Sequence, residues 1–207
     1  MTHAFRTARW SAAFAALALA ACNSMPAGEP SGRSSASANA NANARSAKPV
    51  LASMSTVREA TVNLAPASGS LVSGRLTLRP MGDGVHLTGE IGGLPRNSTH
   101  AIHIHEKGDC TAADASSAGG HFNPTGEPHG RVGTPTHHAG DMNNILANTS
   151  GVAKVDVHAE GVVLGGSAAN DAIGRAVVVH AQPDDYTSQP SGDAGARIAC
   201  GMIRAQG

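Results

Sequence analysis

The residues of this chain best placed to do chemistry are histidines. In His103-Ile104-His105, the alternation of an extended strand sends both imidazoles to one outer face. Ile102 and Ile104 point the other way, towards a core. Downstream follow His121, His129, His138 and Asp141, and much later His180. The chain holds 11 histidines, and seven of them fall between His100 and His138. One histidine alone says little, so spacing must carry the argument. Four imidazoles around one ion suit Cu(II), whereas three imidazoles and a carboxylate suit tetrahedral Zn(II). Six histidines and one aspartate can fill two such sets only by sharing a ligand.

Those side chains need a frame, and the sequence predicts one made of strands. Val57 to Ala65, Leu71 to Arg79 and Val85 to Ile91 alternate apolar with polar residues and are rich in β-branched types. Pro66-Ala67-Ser68-Gly69, Met81-Gly82-Asp83-Gly84 and Gly92-Gly93-Leu94-Pro95 are turn signals that separate them as antiparallel hairpins. Ala101 to His105 is the next strand. Glu106 to Asp141 then shows no sustained period, which in a compact domain implies a functional loop that something pins. Val152 to His158 and Gly161 to Leu164 read as a further hairpin, and Arg175 to His180 as a strong strand. A second irregular segment, Ala181 to Ala196, precedes a last strand from Arg197 to Arg204. Six to eight short strands with two long loops predict an all-β antiparallel sandwich or barrel, with no helix of any length. Only Phe122 and Tyr186 are aromatic in this part of the chain, so its core must be aliphatic.

The N-terminus belongs to a different kind of segment. Arg6 and Arg9 precede an apolar run from Ala12 to Ala21, the layout of a secretory signal peptide, and the run is too short to span a bilayer. Leu19-Ala20-Ala21-Cys22 resembles the bacterial lipobox, whose cysteine takes lipid; an ordinary cleavage site beside a chance cysteine is the alternative. The cysteines are Cys22, Cys110 and Cys200, an odd number for an oxidising compartment. If Cys22 takes lipid, Cys110 and Cys200 remain as one disulfide. Residues 22–55 are rich in Ser, Ala, Asn and Gly and hold almost nothing to bury, so they read as a flexible tether. The predicted organisation is therefore a leader over 1–21, a tether over 22–55 and one domain over 56–207. That places the domain on the periplasmic side of a bacterial envelope, and Asn23 rather than Asp after Cys22 favours the outer membrane. The domain carries 10 Lys and Arg against 14 Asp and Glu, a formal net of −4. A domain of that sign does not offer nucleic acid a broad basic surface.

Six blocks together resemble the copper/zinc superoxide dismutases, in particular their secreted bacterial branch. They are His103-Ile104-His105-Glu106-Lys107-Gly108-Asp109-Cys110, Gly120-His121-Phe122-Asn123-Pro124, His129-Gly130, His138-Ala139-Gly140-Asp141, Gly174 to His180, and Gly195-Ala196-Arg197-Ile198-Ala199-Cys200-Gly201. The resemblance spans about Val57 to Ala205 and implies a Greek-key antiparallel sandwich or barrel of about eight strands. It implies copper on His103, His105, His121 and His180. It implies zinc on His121, His129, His138 and Asp141, with the His121 ring bridging the two ions. His138 is preferred over His137 because it stands three before Asp141. Asp184 matches the aspartate that ties a copper histidine to a zinc histidine, Cys110 and Cys200 match the family disulfide, and His100 matches a structural histidine. His3, His86, His137 and His158 read as surface or spacer residues.

The implied reaction is a two-stroke cycle in which Cu(II) oxidises one superoxide to dioxygen and Cu(I) reduces a second to hydrogen peroxide. His121 would let go of copper on reduction, take a proton and deliver it to the forming peroxide. Arg197 would dock the anion. A net of −4 repels superoxide, but physiological salt screens that beyond about 8 Å, so attraction must be local: the metals, Arg197, and Lys107 or Arg131. The segment Ala181 to Ala196 holds Asp184, Asp185 and Asp193 with no Lys or Arg, unlike the animal enzymes, whose matching loop carries a guiding lysine. A different class stays open, an envelope lipoprotein that binds or buffers copper and zinc without turnover. A purely structural lipoprotein leaves seven ligands in register unexplained. Bacterial relatives include monomers and homodimers, and the resemblance leaves both open.

Overall fold

The computed structural model describes residues 54–207, apart from 167. The leader and nearly all of the tether, Cys22 included, lie outside these residues. The described part is all-β. Its strands are β1 (Ala60–Pro66), β2 (Ser73–Met81), β3 (Gly84–Gly92), β4 (Thr99–His100), β5 (Ile102–His105), β6 (Ile145–Leu146), β7 (Ala153–Glu160), β8 (Ala176–His180), β9 (Arg197–Met202) and β10 (Arg204–Ala205). Eight of them form one antiparallel sheet in the order β5-β8-β9-β1-β2-β3-β7, with β10 on β1; β4 and β6 make a separate short ladder. A short 3-10 turn, Ser116–Ala118, lies between β5 and β6.

The path is a meander that then jumps. Strands β1, β2 and β3 pair in sequence, the chain crosses to β5 at the far edge, returns to β7 beside β3, and crosses again to β8 beside β5. Leu76 and Leu78 of β2, Leu87 and Ile91 of β3, Ile102 and Ile104 of β5, and Val177 and Val179 of β8 share one core. Opposite ends of the strand order thus pack on each other, so the sheet curls into a half-barrel. The interior is aliphatic as expected, with Phe122 its aromatic member.

Two expectations about elements are corrected. Gly161 to Leu164 forms no hairpin with the preceding strand; β7 pairs with β3 along its length. Gly161 takes a left-handed φ of 83°, and the Asn170 amide donates to its carbonyl at 2.7 Å. Val163 instead bridges Asp171. The first strand begins at Ala60 rather than Val57, whose N–H donates to the Leu164 carbonyl. The sheet serves the chemistry by holding β5 and β8 side by side, His103 opposite Val178 and Ile104 opposite Val177.

Candidate metal centre

The strand alternation at β5 is as expected, but its outer face is not solvent. All four of Ile102, His103, Ile104 and His105 are buried, because the loops over 106–144 and 181–196 close over the imidazoles. Backbone bonds at Ile104 fix the first loop. Its N–H donates to the Gly140 carbonyl, the Phe122 N–H donates to its carbonyl, and Gly140 N–H donates to Phe122 carbonyl, each at 2.8 Å. A side chain on Gly140 would strike the Ile104 carbonyl, so glycine is required there. This three-way knot brings His121 and Asp141 against the histidine strand from 16 and more residues away.

Two groups of ligand atoms result. His103, His105, His121 and His180 form one, and His121, His129, His138 and Asp141 the other; within each, the atoms lie within 4.8 Å of one another and every residue is buried. His121 belongs to both. Outer partners fix which nitrogen of each ring faces inwards. His103 Nε2 bonds Asp184 Oδ2 at 2.9 Å, His105 Nδ1 meets the Gly119 carbonyl at 3.0 Å, and His180 Nδ1 the Gly195 carbonyl at 3.3 Å. That leaves His105 Nε2 and His180 Nε2 3.3 Å apart, and His103 Nδ1 and His121 Nε2 buried with no hydrogen-bond partner. On the zinc side, His121 Nδ1 lies 2.8 Å from Asp141 Oδ1 and His138 Nδ1 3.3 Å from the same oxygen. His129 Nδ1 lies 3.0 Å from Asp141 Oδ2 without the angle of a hydrogen bond. Buried lone pairs converging without donors are costly unless a cation satisfies them. The all-imidazole set fits copper and the set with a carboxylate fits zinc.

Electrostatics separate the two sets. Burial, and then neighbouring rings, lowers the pKa of His105 to about 2 and of His180 to about 3, and burial lowers His121 to about 4. These rings are neutral throughout the physiological range, as metal ligands must be. Burial alone would also lower His129, but the carboxylates of Asp141 and Asp184 outweigh it and raise the ring to about 9. Burial opposes ionisation of Asp141 and Asp184 as well, yet their bonded histidines hold both carboxyls well below the usual range.

Asp184 sits where expected, between His103 Nε2 at 2.9 Å and His129 Nε2 at 3.0 Å. Its own support was not legible in the sequence. The Asn144 side chain pairs with the Asp184 backbone through two bonds of 2.9 and 2.8 Å, and Gln189 accepts from the His129 N–H and donates to its carbonyl. Gly192 lies so close to the Asp184–His129 bond that a side chain there would collide with both partners. These residues are ordinary polar loop types with no period or motif. His100 is structural: its Nδ1 bonds the His180 carbonyl at 2.8 Å and its Nε2 meets Ser98 Oγ at 2.6 Å. His137 stands outside the ligand sets, with Nδ1 on the His138 carbonyl and Nε2 3.6 Å from Glu160.

A cavity of about 400 Å³ opens over the copper set, lined by His105, His121, His138, His180 and Arg197 among others. Arg197 is the one cation among its described lining residues. Its Nη1 and Nη2 donate to the Ala115 and Gly119 carbonyls at 2.7 and 2.6 Å, so the guanidinium is fixed at the mouth. Arg131 is engaged elsewhere, over the Tyr186 ring at 5.1 Å, and neither it nor Lys107 lines the cavity. Cys110 and Cys200 form a disulfide, which fastens the start of the metal loop to the strand that carries Arg197.

Residues 72–203 match the family model for copper/zinc superoxide dismutase. A protein named superoxide dismutase [Cu-Zn] 2 from Aquifex aeolicus is 40% identical over 158 residues, covering 75% of this chain and 92% of that one. A superoxide dismutase [Cu-Zn] from Caulobacter vibrioides is 40% identical over 137 residues, covering 64% and 78%. Among solved structures, a SOD-like protein from Bacillus subtilis superposes with a TM-score of 0.62 at 35% identity, covering 69% of this chain and 96% of that one.

Proposed function

Because the chain belongs to the copper/zinc superoxide dismutase family, we propose that it converts two superoxide anions and two protons to dioxygen and hydrogen peroxide at a bacterial envelope. The observation that carries the chemistry is His121, one imidazole completing two full ligand sets. When bound, copper supplies the Cu(II)/Cu(I) couple and zinc supplies a fixed positive charge beside it. The chain's own groups do the rest. Arg197, pinned by two carbonyls, presents its remaining N–H groups to the anion in the only cationic corner of the described cavity lining. His121 Nε2 is the atom at which a proton is held between the two half-reactions and handed to the reduced oxygen. Asp184 holds His103 and His129 so that neither ring turns its lone pair away.

Superoxide decay after pulse radiolysis, followed on the full-length protein loaded with copper and zinc, tests this. We expect decay proportional to bound copper, and a fall of about tenfold or more in Arg197→Ala, the worth of a charge-assisted contact, with weaker inhibition by small anions and unchanged metal content. Full loading with decay no faster than the buffer would leave a metal carrier; an unchanged Arg197→Ala rate would remove that residue from catalysis.

The location proposed for this activity is the periplasmic side of the outer membrane, with lipid on Cys22 as anchor and residues 22–55 as tether. Pairing of Cys110 with Cys200 supports it, since Cys22 is then the remaining cysteine of the chain, behind an apolar run with a lipobox-like end. More than one acyl chain anchors stably, where one holds marginally. Cys22→Ser should move the protein from the membrane to the soluble periplasmic fraction, and retention in the membrane would overturn the anchor.

A further inference from the structure

Among the described residues, five buried side-chain nitrogen or oxygen atoms lack any hydrogen-bond partner, and all five are histidine nitrogens: His103 Nδ1, His121 Nε2, His129 Nδ1, His86 Nδ1 and His158 Nδ1. The first three belong to the ligand sets already described. In each of those rings the other nitrogen meets a carboxylate, Asp184 or Asp141. The last two repeat the pattern elsewhere. His86 Nε2 lies 2.9 Å from Asp156 Oδ1, and His158 Nε2 lies 2.9 Å from Asp83 Oδ1.

His86 and His158 face each other across the β3–β7 ladder. The Gly161 N–H donates to the Asp83 carbonyl, and these two residues continue the register one pair beyond Gly84 and Glu160, three pairs from the histidines. Hydrogen-bonded pairs alternate along an antiparallel ladder, so His86 and His158 are a non-hydrogen-bonded pair, the kind whose side chains lie closer. Val85, Leu87, Val157 and Ala159 of the same strands are buried, which puts both imidazoles on the outer face with 26% and 25% of each side chain exposed. Their ring centroids are 6.4 Å apart. Ring pairs in the copper set span 4.0 to 6.5 Å, so the spacing is one that a shared ion accepts. Arg79, opposite His86 on β2, is bonded to Glu59 at 3.0 and 2.6 Å. The Asp83 and Asp156 carboxylates supply negative charge beside the pair.

We propose that His86 and His158 form a third metal site, taking one first-row divalent cation, copper(II) ahead of zinc(II), through their two Nδ1 atoms with water completing the coordination. An Nε2–H donated to a carboxylate, as His158 donates to Asp83, leaves Nδ1 as a lone-pair donor, which is the usual state of a metal-bound histidine. Imidazole suits both ions, and copper(II) binds any given nitrogen set more tightly than zinc(II). Two protein ligands make this the weaker and more exchangeable of the three sites. It shares no residue with the other two and lies on the outside of the barrel.

The test starts from full-length protein with both centres filled, its dismutase activity measured before further metal is added. One equivalent of copper(II) is then titrated in and followed by electron paramagnetic resonance and metal analysis after dialysis. We expect a second copper, the third metal of the chain, with a signal split by two nitrogens and bound at least tenfold more weakly in His86→Gln and in His158→Gln. Both variants should match the parent in starting metal content and activity. No second copper, or a second copper held equally well by both variants, would overturn the site.

Discussion

Replacing both Cys110 and Cys200 with alanine should lower the stability of the domain by about 4–5 kcal/mol, the chain-entropy value for a closed loop of this size. The two residues are 90 apart in sequence, so the bond removes a large share of the freedom of the unfolded chain. Alanine is the substitution to use because the position is packed among small apolar groups, Ala67, Ala115, Ala118, Ala176 and Val178, where a serine hydroxyl would add a burial cost of its own. For a domain of this size the loss corresponds to a fall in Tm on the order of 10 °C, read by calorimetry on the metal-loaded protein. A shift under about 3 °C would show that the two loops hold the fold without the bond.

The same change should reach catalysis through two carbonyls. Arg197 is held by Ala115 and Gly119, both in the loop that the disulfide fastens to β9, and the Gly119 carbonyl also accepts from His105 Nδ1. Freeing the loop loosens the anion-binding guanidinium and one copper ligand together. The double variant is therefore expected to lose rate per bound copper as well as stability.

How much of this was legible beforehand follows the range of each interaction. The His103-Ile104-His105 pair and the His138 to Asp141 spacing are local patterns, and the family resemblance they help to carry implied all eight ligand positions, His121 counted twice, where the structure has them. Strand alternation likewise gave the inward face of β2, β3 and β7. Burial of the two β5 imidazoles could not be read from strand alternation, because it depends on loops that arrive from far along the chain. Asn144, Gln189 and Gly192 act only through contacts 40 to 60 residues distant or through close approach, and neither leaves a mark in the sequence. His86 and His158 had the right face but no meaning until β7 was paired with β3 rather than with the segment after Gly161.

Beyond the shared His121, Asp184 ties the two metal sets together, and Asp184→Asn should lower zinc affinity about 10- to 100-fold, the usual effect of losing a carboxylate behind a ligating histidine. The sign of a second effect can be worked out from His129. Burial lowers that ring, the carboxylates of Asp141 and Asp184 raise it, and the balance stands at about 9, so at pH 7.5 the metal-free protein holds a proton there. Zinc requires the neutral ring, so its binding must expel that proton, about one per chain. With asparagine at 184 one of the two raising charges is gone, the ring falls towards its ordinary value, and fewer protons leave. Calorimetry in two buffers of different ionisation enthalpy reads affinity and proton count at once. Weaker binding with an unchanged count would mean that Asp184 only orients the rings. Neither quantity changing would mean that the loop, through Asn144 and Gln189, positions His129 by itself.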